Sequence, residues 1–129
     1  MKERIKSLAK TYKDEFIQIR RHLHAHPELS YVEFETSAYI QSRLTAWGIP
    51  FEVMAKTGVV GIIEGTDPGS RVVALRADMD ALPIQEENEV EYKSQVANCM
   101  HACGHDVHTT CCWVQQKFYK KQNQTGKAL

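Results

Sequence analysis

Ile5, Leu8, Tyr12, Phe16, Ile19 and Leu23 recur at spacings of three and four, with charged residues filling the positions between. This is the pattern of an amphipathic helix of about six turns. Pro27 ends it and pushes His26, the residue before it, toward extended geometry. Ser30-Tyr31-Val32-Glu33 has the spacing of a capping box. It opens a second helix expected to carry Phe34, Ala38, Ile40, Leu44 and Trp47 inward. Gly48 suits the exit from that helix, and Pro50 forbids its continuation. The pattern then shortens. Residues 51–54, 59–64 and 72–77 are apolar runs, the last two rich in β-branched residues, and are expected to be strands. Gly65-Thr66-Asp67-Pro68-Gly69-Ser70 is a turn by composition, which predicts a hairpin of the second and third runs inside a mixed sheet. Val72-Val73-Ala74-Leu75 lacks alternation, as expected of a strand covered on both faces. Helices flanking strands predict a layered α/β architecture. There is no internal repeat, and no low-complexity segment before residue 115.

Composition narrows the partners. A chain of 129 residues holds one domain at most, and 43% apolar with 25% charged residues is ordinary for a globular protein. Sixteen basic and sixteen acidic residues cancel. That balance gives no electrostatic reason to expect nucleic acid or an anionic membrane as partner. No stretch approaches the roughly 18 apolar residues of a membrane span. The charged start, MKERIKSLAKTYK, lacks the apolar core of a secretion signal. The expected compartment is the cytoplasm, where the four cysteines serve as thiols or ligands rather than as a disulfide framework.

Two segments carry candidate chemistry. The run into Arg76-Ala77-Asp78-Met79-Asp80-Ala81-Leu82-Pro83 places Asp78 and Asp80 beyond a strand's carboxyl end, where ligands gather in α/β sheets. Two apart in extended chain, they share a face. They read either as a metal-supporting carboxylate or as acids in a solvated turn. Met100-His101-Ala102-Cys103-Gly104-His105-Asp106-Val107-His108 is denser in potential ligands. Thiolate and imidazole suit zinc and other late first-row metals. Gly104 permits the tight backbone that would let Cys103 and His105 face one ion, and Asp106 is in position to accept the second ring N–H of a ligating histidine. A structural zinc knuckle on Cys99 and Cys103 competes, but lacks its second half. His22, His24 and His26 alternate along the first helix, where residues two apart do not face each other. Capping and packing is the better reading for them than ligation.

Arg20 to Ser30 (RRHLHAHPELS), then RADMDALPIQEEN, then MHACGHDVHTT resemble, in order and with plausible spacing from about residue 14 to 110, the N-terminal signatures of one family. It is the aminoacylase and carboxypeptidase family of two-metal peptidases, in the branch of hippurate hydrolases, N-acyl-L-amino acid amidohydrolases and indole-acetyl-amino-acid hydrolases. The resemblance implies that residues 1–110 form the N-terminal portion of an α/β catalytic domain, which in the family carries an inserted lid. It implies metal-dependent hydrolysis of the amide bond of N-acyl amino acids, with two divalent ions (manganese or zinc, with cobalt or nickel as alternatives). Matched by position, Cys103 and His105 are metal ligands, and Asp80 is the acid that supports the catalytic site from the neighbouring strand end. The substrate implied is a small N-acyl amino acid, and the full-length family can form homodimers. The family's proton-transferring glutamate and remaining ligands lie downstream of the residues matched here. A small non-catalytic metal-binding or interaction module using the Cys/His cluster is the alternative.

After Thr110 the resemblance stops, at CCWVQQKFYKKQNQTGKAL. Back-translated one base earlier, these codons read Leu-Leu-Gly, then a choice including Ala-Ala-Lys-Ile, then Leu and Gln, an apolar helix of the kind the family has there. The expectation is a one-base loss near codons 111 and 112, leaving residues 111–129 as a divergent, out-of-frame tail. On that reading Cys112, Trp113 and the residues after them have no selected role, and the isolated chain is inactive. A naturally divergent C-terminus is the alternative.

Overall fold

The computed structural model describes residues 2–65, 67, 69 and 71–124. Three helices, α1 (Lys2–Ala25), α2 (Phe34–Ala46) and α3 (His105–Gln124), accompany a two-stranded sheet of β1 (Phe51–Met54) and β2 (Gly58–Gly61). The helix α1 packs against α3, and α2 against β2. The apolar stripe of α1 is the one its periodicity marks: Phe16, Ile19 and Leu23 are buried, and Tyr12 packs at the edge. Ile5 stays exposed, because the first turns of α1 run beyond the core.

The second helix starts differently from its capping-box pattern. Tyr31 takes a φ of 70°, in the left-handed region, so Ser30 turns away and donates to Asp80 Oδ2. Glu33 accepts instead from the Tyr31 N–H and the Thr57 hydroxyl, both at 2.8 Å. The helix's free N–H groups are met by Glu28, whose carboxylate accepts from Glu35 N at 3.1 Å and Thr36 N at 2.7 Å. A carboxylate there also suits the positive end of the helix dipole. The inward face is Thr36, Ser37, Ile40 and Leu44. Phe34 and Ala38 point to solvent and Trp47 is half-buried, a rotation that follows from Glu28 rather than Ser30 setting the helix start. The exit at Gly48 is as expected. It has a φ of 63°, its N–H donates to Thr45 O, and Ile49 N donates to Leu44 O, both at 2.9 Å. These are the paired bonds of a Schellman motif, and Leu44 and Ile49 are both buried beneath it.

The sheet corrects two expectations. The hairpin joins the first two runs, with Phe51 opposite Gly61 and Met54 opposite Gly58. Its turn uses Ala55 and Lys56, both at positive φ. Residues 72–77 form no strand among the described residues, and Val72 and Val73 are 95% and 81% exposed. Unpatterned apolar character marks a segment fit for burial on both faces, but pairing needs a neighbour. Among the described residues, β2 pairs only with β1. Three residues of the composition-read turn (66, 68 and 70) lie outside the described residues.

The last helix runs through Thr110 without interruption. Trp113 is 4% exposed and joins Phe16, Ile19, Leu23, Ile40, Leu44 and Ile49 in the core. It meets Trp47 edge-on with ring centroids 6.2 Å apart. One turn on, the Lys117 ammonium lies 4.2 Å from the Tyr12 ring and 4.8 Å from that of Trp47, and it pairs with Glu15. Glu15 also accepts from Trp47 Nε1 at 3.0 Å and Arg43 Nη2 at 3.1 Å. Burial works against its charge, but these partners outweigh it and hold its pKa below the usual value. Residues 125–129 of the tail lie outside the described residues.

Trp113→Ala empties the centre of this core and should cost about 3–5 kcal/mol. Urea unfolding followed by circular dichroism measures it. Unchanged stability would mean that α3 beyond Thr110 does not pack on α1.

Candidate functional site

Backbone bonds outside the helices and strands bring the three sequence motifs together. Ala81 N donates to Glu28 O at 2.7 Å, joining the segment after Pro27 to the end of the Arg76–Leu82 run. Leu82 and Met100 exchange both of their N–H···O bonds at 3.0 Å. That antiparallel bridge delivers the cysteine-histidine loop to Asp80. The loop then turns at Gly104, whose φ is 86°, and α3 begins at His105 as Val107 N and His108 N donate to Gly104 O. Cys103 sits exposed on this turn.

At the first residue of α3, His105 Nδ1 lies 3.0 Å from both the carbonyl oxygen and Oδ1 of Asp80. A ring N–H donated there leaves Nε2 with its lone pair directed elsewhere, the tautomer a metal ligand needs. The Ser30 hydroxyl lowers the Asp80 pKa most, and His105 adds to this against the effect of burial. The two acids read together in sequence therefore part company. Asp80 holds His105, whereas the Asp78 carboxylate pairs with exposed Arg76 at 2.6 Å and only its carbonyl enters the site region, accepting from the Thr109 hydroxyl.

Behind this pair lies a buried charge cluster. Asp106 does not serve a ligating histidine. Its Oδ2 is 2.8 Å from His24 Nδ1 and 2.8 Å from Arg20 Nε. His24 Nε2 is 3.0 Å from Glu86 Oε1. Glu86 also accepts from Ser94 N at 2.6 Å and Asn88 Nδ2 at 3.1 Å. Burial opposes its charge, but the Ser94 N–H, His24 and Asn88 prevail and hold its pKa at about 2. Of the N-terminal histidines, His22 stacks on His26 and Tyr39, so packing describes it well. His24 is a polar hub rather than a capping or packing residue, and neither that role nor Glu86 is legible in the sequence, since its partners lie 62 and 82 residues away.

Among the described residues no three His, Cys, Asp or Glu side chains converge as a ready metal site. The donor set is nonetheless suited to a metal, with an exposed thiol and an oriented imidazole two residues apart. Unsatisfied polar atoms gather beside them. His101 is 4% exposed, and neither ring nitrogen makes a hydrogen bond of good geometry; nor does buried Asp106 Oδ1. Buried polar atoms without a protein partner are rare, and a bound water or ion often satisfies those that occur. Burial lowers the His101 pKa, and the nearby Asp106 charge only partly offsets it.

Residues 74–127 match the sequence profile of peptidase family M20/M25/M40. An uncharacterized hydrolase of Staphylococcus aureus is 50% identical over 108 residues, covering 84% of this chain and 28% of its own length. A probable hydrolase of Synechocystis is 49% identical over 107 residues, covering 82% and 27%. The chain thus spans between a quarter and a third of these relatives. Its fold resembles the crystal structure of Bacillus subtilis YXEP, described as a dinuclear metal binding peptidase from the M20 family. The TM-score is 0.83 and the identity 40%, over 88% of this chain and 32% of that one. A putative aminohydrolase from methicillin-resistant S. aureus superposes with a TM-score of 0.86 at 37% identity, over 95% and 32%.

The Glu86 pKa sets an expected acid limit. A carboxylate whose folded pKa lies below its ordinary 4.5 stabilises the fold fully above that value and loses the contribution as pH falls toward about 2. Urea midpoints measured from neutral pH down to about 2 should fall mainly below 4.5. Glu86→Gln should start less stable and lose less over the same window. A parallel decline in both proteins would show that Glu86 does not carry the effect.

Proposed function

We propose that this chain is part of a member of peptidase family M20/M25/M40, whose profile residues 74–127 match, and that it carries part of the metal centre of an amidohydrolase acting on N-acyl amino acids. The observation behind this reading is the His105–Asp80 pair, a histidine anchored through one ring nitrogen by a carboxylate and its own backbone carbonyl. Carboxylate–histidine pairs of this kind orient metal ligands and raise their basicity.

Cys103 and His105 would hold a divalent ion, manganese or zinc by family likeness, and Asp80 would fix the His105 ring. Divalent ions, when bound, supply Lewis acidity to the scissile carbonyl and lower the pKa of water. The chain's own residues have preparatory work. Asp80 would set the tautomer of His105, the Leu82–Met100 bridge holds their two segments together, and Gly104, at a φ of 86°, makes the turn between Cys103 and His105. Affinity depends on how many preorganised ligands a site offers. With two donors the chain by itself should bind metal weakly and turn over no substrate.

Equilibrium dialysis with zinc or manganese tests the assignment. Binding should be weak for the unaltered chain, weaker for Cys103→Ser and His105→Ala, and unchanged for Cys111→Ser. Equal binding by all four proteins would remove Cys103 and His105 from the site. Hippurate and N-acetyl amino acids should not be hydrolysed above the blank. Turnover that disappears in His105→Ala would mean that these residues suffice for catalysis.

A further inference from the structure

Three segments far apart in sequence meet at one imidazole. His24 comes from α1, Glu86 from the segment after Leu82, and Asp106 from the first turn of α3. The three residues are 5%, 2% and 1% exposed. Both ring nitrogens of His24 are engaged, Nδ1 with Asp106 and Nε2 with Glu86, so the ring has no nitrogen left for a metal or a substrate. Arg20, one helical turn earlier, brings its guanidinium to the same Asp106 oxygen. Charges so deeply buried are costly, and apolar residues of similar size often hold a fold as well. Such a cluster calls for a role beyond packing.

Its position supplies one. Asp106 directly follows His105. The Asp106 side chain is drawn inward to α1, while the His105 side chain is held by Asp80. The first turn of α3 is therefore gripped on two sides. The Thr110 hydroxyl bonded to Asp106 O at 2.7 Å and the Thr109 hydroxyl bonded to Asp78 O at 2.9 Å tie down the following turn. A helix fixed by one side chain alone could still rotate about its axis, carrying His105 away from Asp80.

We propose that His24 is a positioning residue for the metal-binding loop. Acting through Asp106, it fixes the rotation of the first turn of α3, so that His105 and Cys103 are set toward a common ion before one arrives. Glu86 holds the far side of the ring and keeps the imidazole from following Asp106 if α3 shifts. The inference rests on the reading of Cys103 and His105 as ligands.

The test uses the whole 129-residue chain titrated to saturation with cobalt(II), whose thiolate charge-transfer band reports Cys103 and whose d–d bands report coordination geometry. His24→Leu, which removes both contacts, should weaken cobalt binding about ten- to a hundredfold, the range for lost outer-shell partners, and should alter the d–d bands with helical circular dichroism retained. His24→Gln keeps one donor toward Asp106 and should recover part of the affinity. Unaltered affinity and spectrum in His24→Leu would overturn the proposal. If His24→Leu loses its helical signal, the decision passes to the unaltered chain. There, zinc should shift the ring nitrogen resonances of His24 in 15N NMR, and unmoved resonances overturn the proposal equally. Absence of the thiolate band from the unaltered chain, or its persistence in Cys103→Ser, would refute the ligand reading itself, and this inference with it.

Discussion

Burying His24 between Asp106 and Glu86 obliges the chain to bring α1, the segment after Leu82 and the start of α3 to one point. None of the three ionisable groups can be left there alone, because breaking a buried pair strands an uncompensated charge. The contact is thus all-or-none, and other features are arranged by it. Once Asp106 is docked on α1, the residue before it must emerge near Asp80. The Leu82–Met100 bridge then has the two motif-bearing segments already adjacent. The polar cluster specifies the register of the loop relative to α1, and the backbone bridge fixes its height.

Stability comes from elsewhere on the same helix. Phe16, Ile19 and Leu23 meet Ile40, Leu44, Ile49 and Trp113, burying the apolar area that drives folding. Glu15 and Lys117 close that core at its rim, with the Lys117 ammonium above aromatic rings rather than free in water. The first turn and the middle of α3 therefore do different jobs. Its first turn is placed by charge, and its middle is held by Trp113. An error at either place is transmitted along a rigid rod to the other, so packing at Trp113 matters to the geometry at His105 although the two residues are eight positions apart.

What the sequence disclosed depended on range. The stripe of α1 from Tyr12 to Leu23, the Gly48 exit and β1 are written in short-range periodicity and backbone preference, and they stand where the pattern put them. The capping box was misleading, because Glu28, which replaces it, acts across seven and eight residues from outside the motif. Val72-Val73-Ala74-Leu75 carried the composition of a buried strand, but composition cannot supply a pairing partner. Cys103 and His105 were legible in the density of thiol and imidazole groups from Met100 to His108; Asp80 was named by resemblance, since the spacing of Asp78 and Asp80 alone left the two acids equivalent. The His24 cluster was invisible for a similar reason, since nothing local tells a histidine in an alternating run that its partners lie in QEEN and after CGH. Trp113 was assigned to a tail read as out of frame and without a role; its core partners on α1 and α2 lie far away in sequence, where no local pattern shows them.

The exposure of Val72 and Val73 bears on how the site is built. These residues lead directly into Asp78 and Asp80, and a sheet would be the usual means of aiming such strand-end acids. Here the run is unpaired among the described residues, yet Asp80 still meets His105 with both contacts at 3.0 Å. The aiming must come from beyond the run: from Ala81 bonded to Glu28, Leu82 bonded to Met100 and Ser30 bonded to the Asp80 carboxylate. The solved relatives share this fold over about a third of their own length. In this chain, the orientation of His105 is set by the bonds at and just after Asp80 and by the buried grip on Asp106. Sheet pairing of residues 72–77 would then add stability to the surroundings without being needed to orient His105.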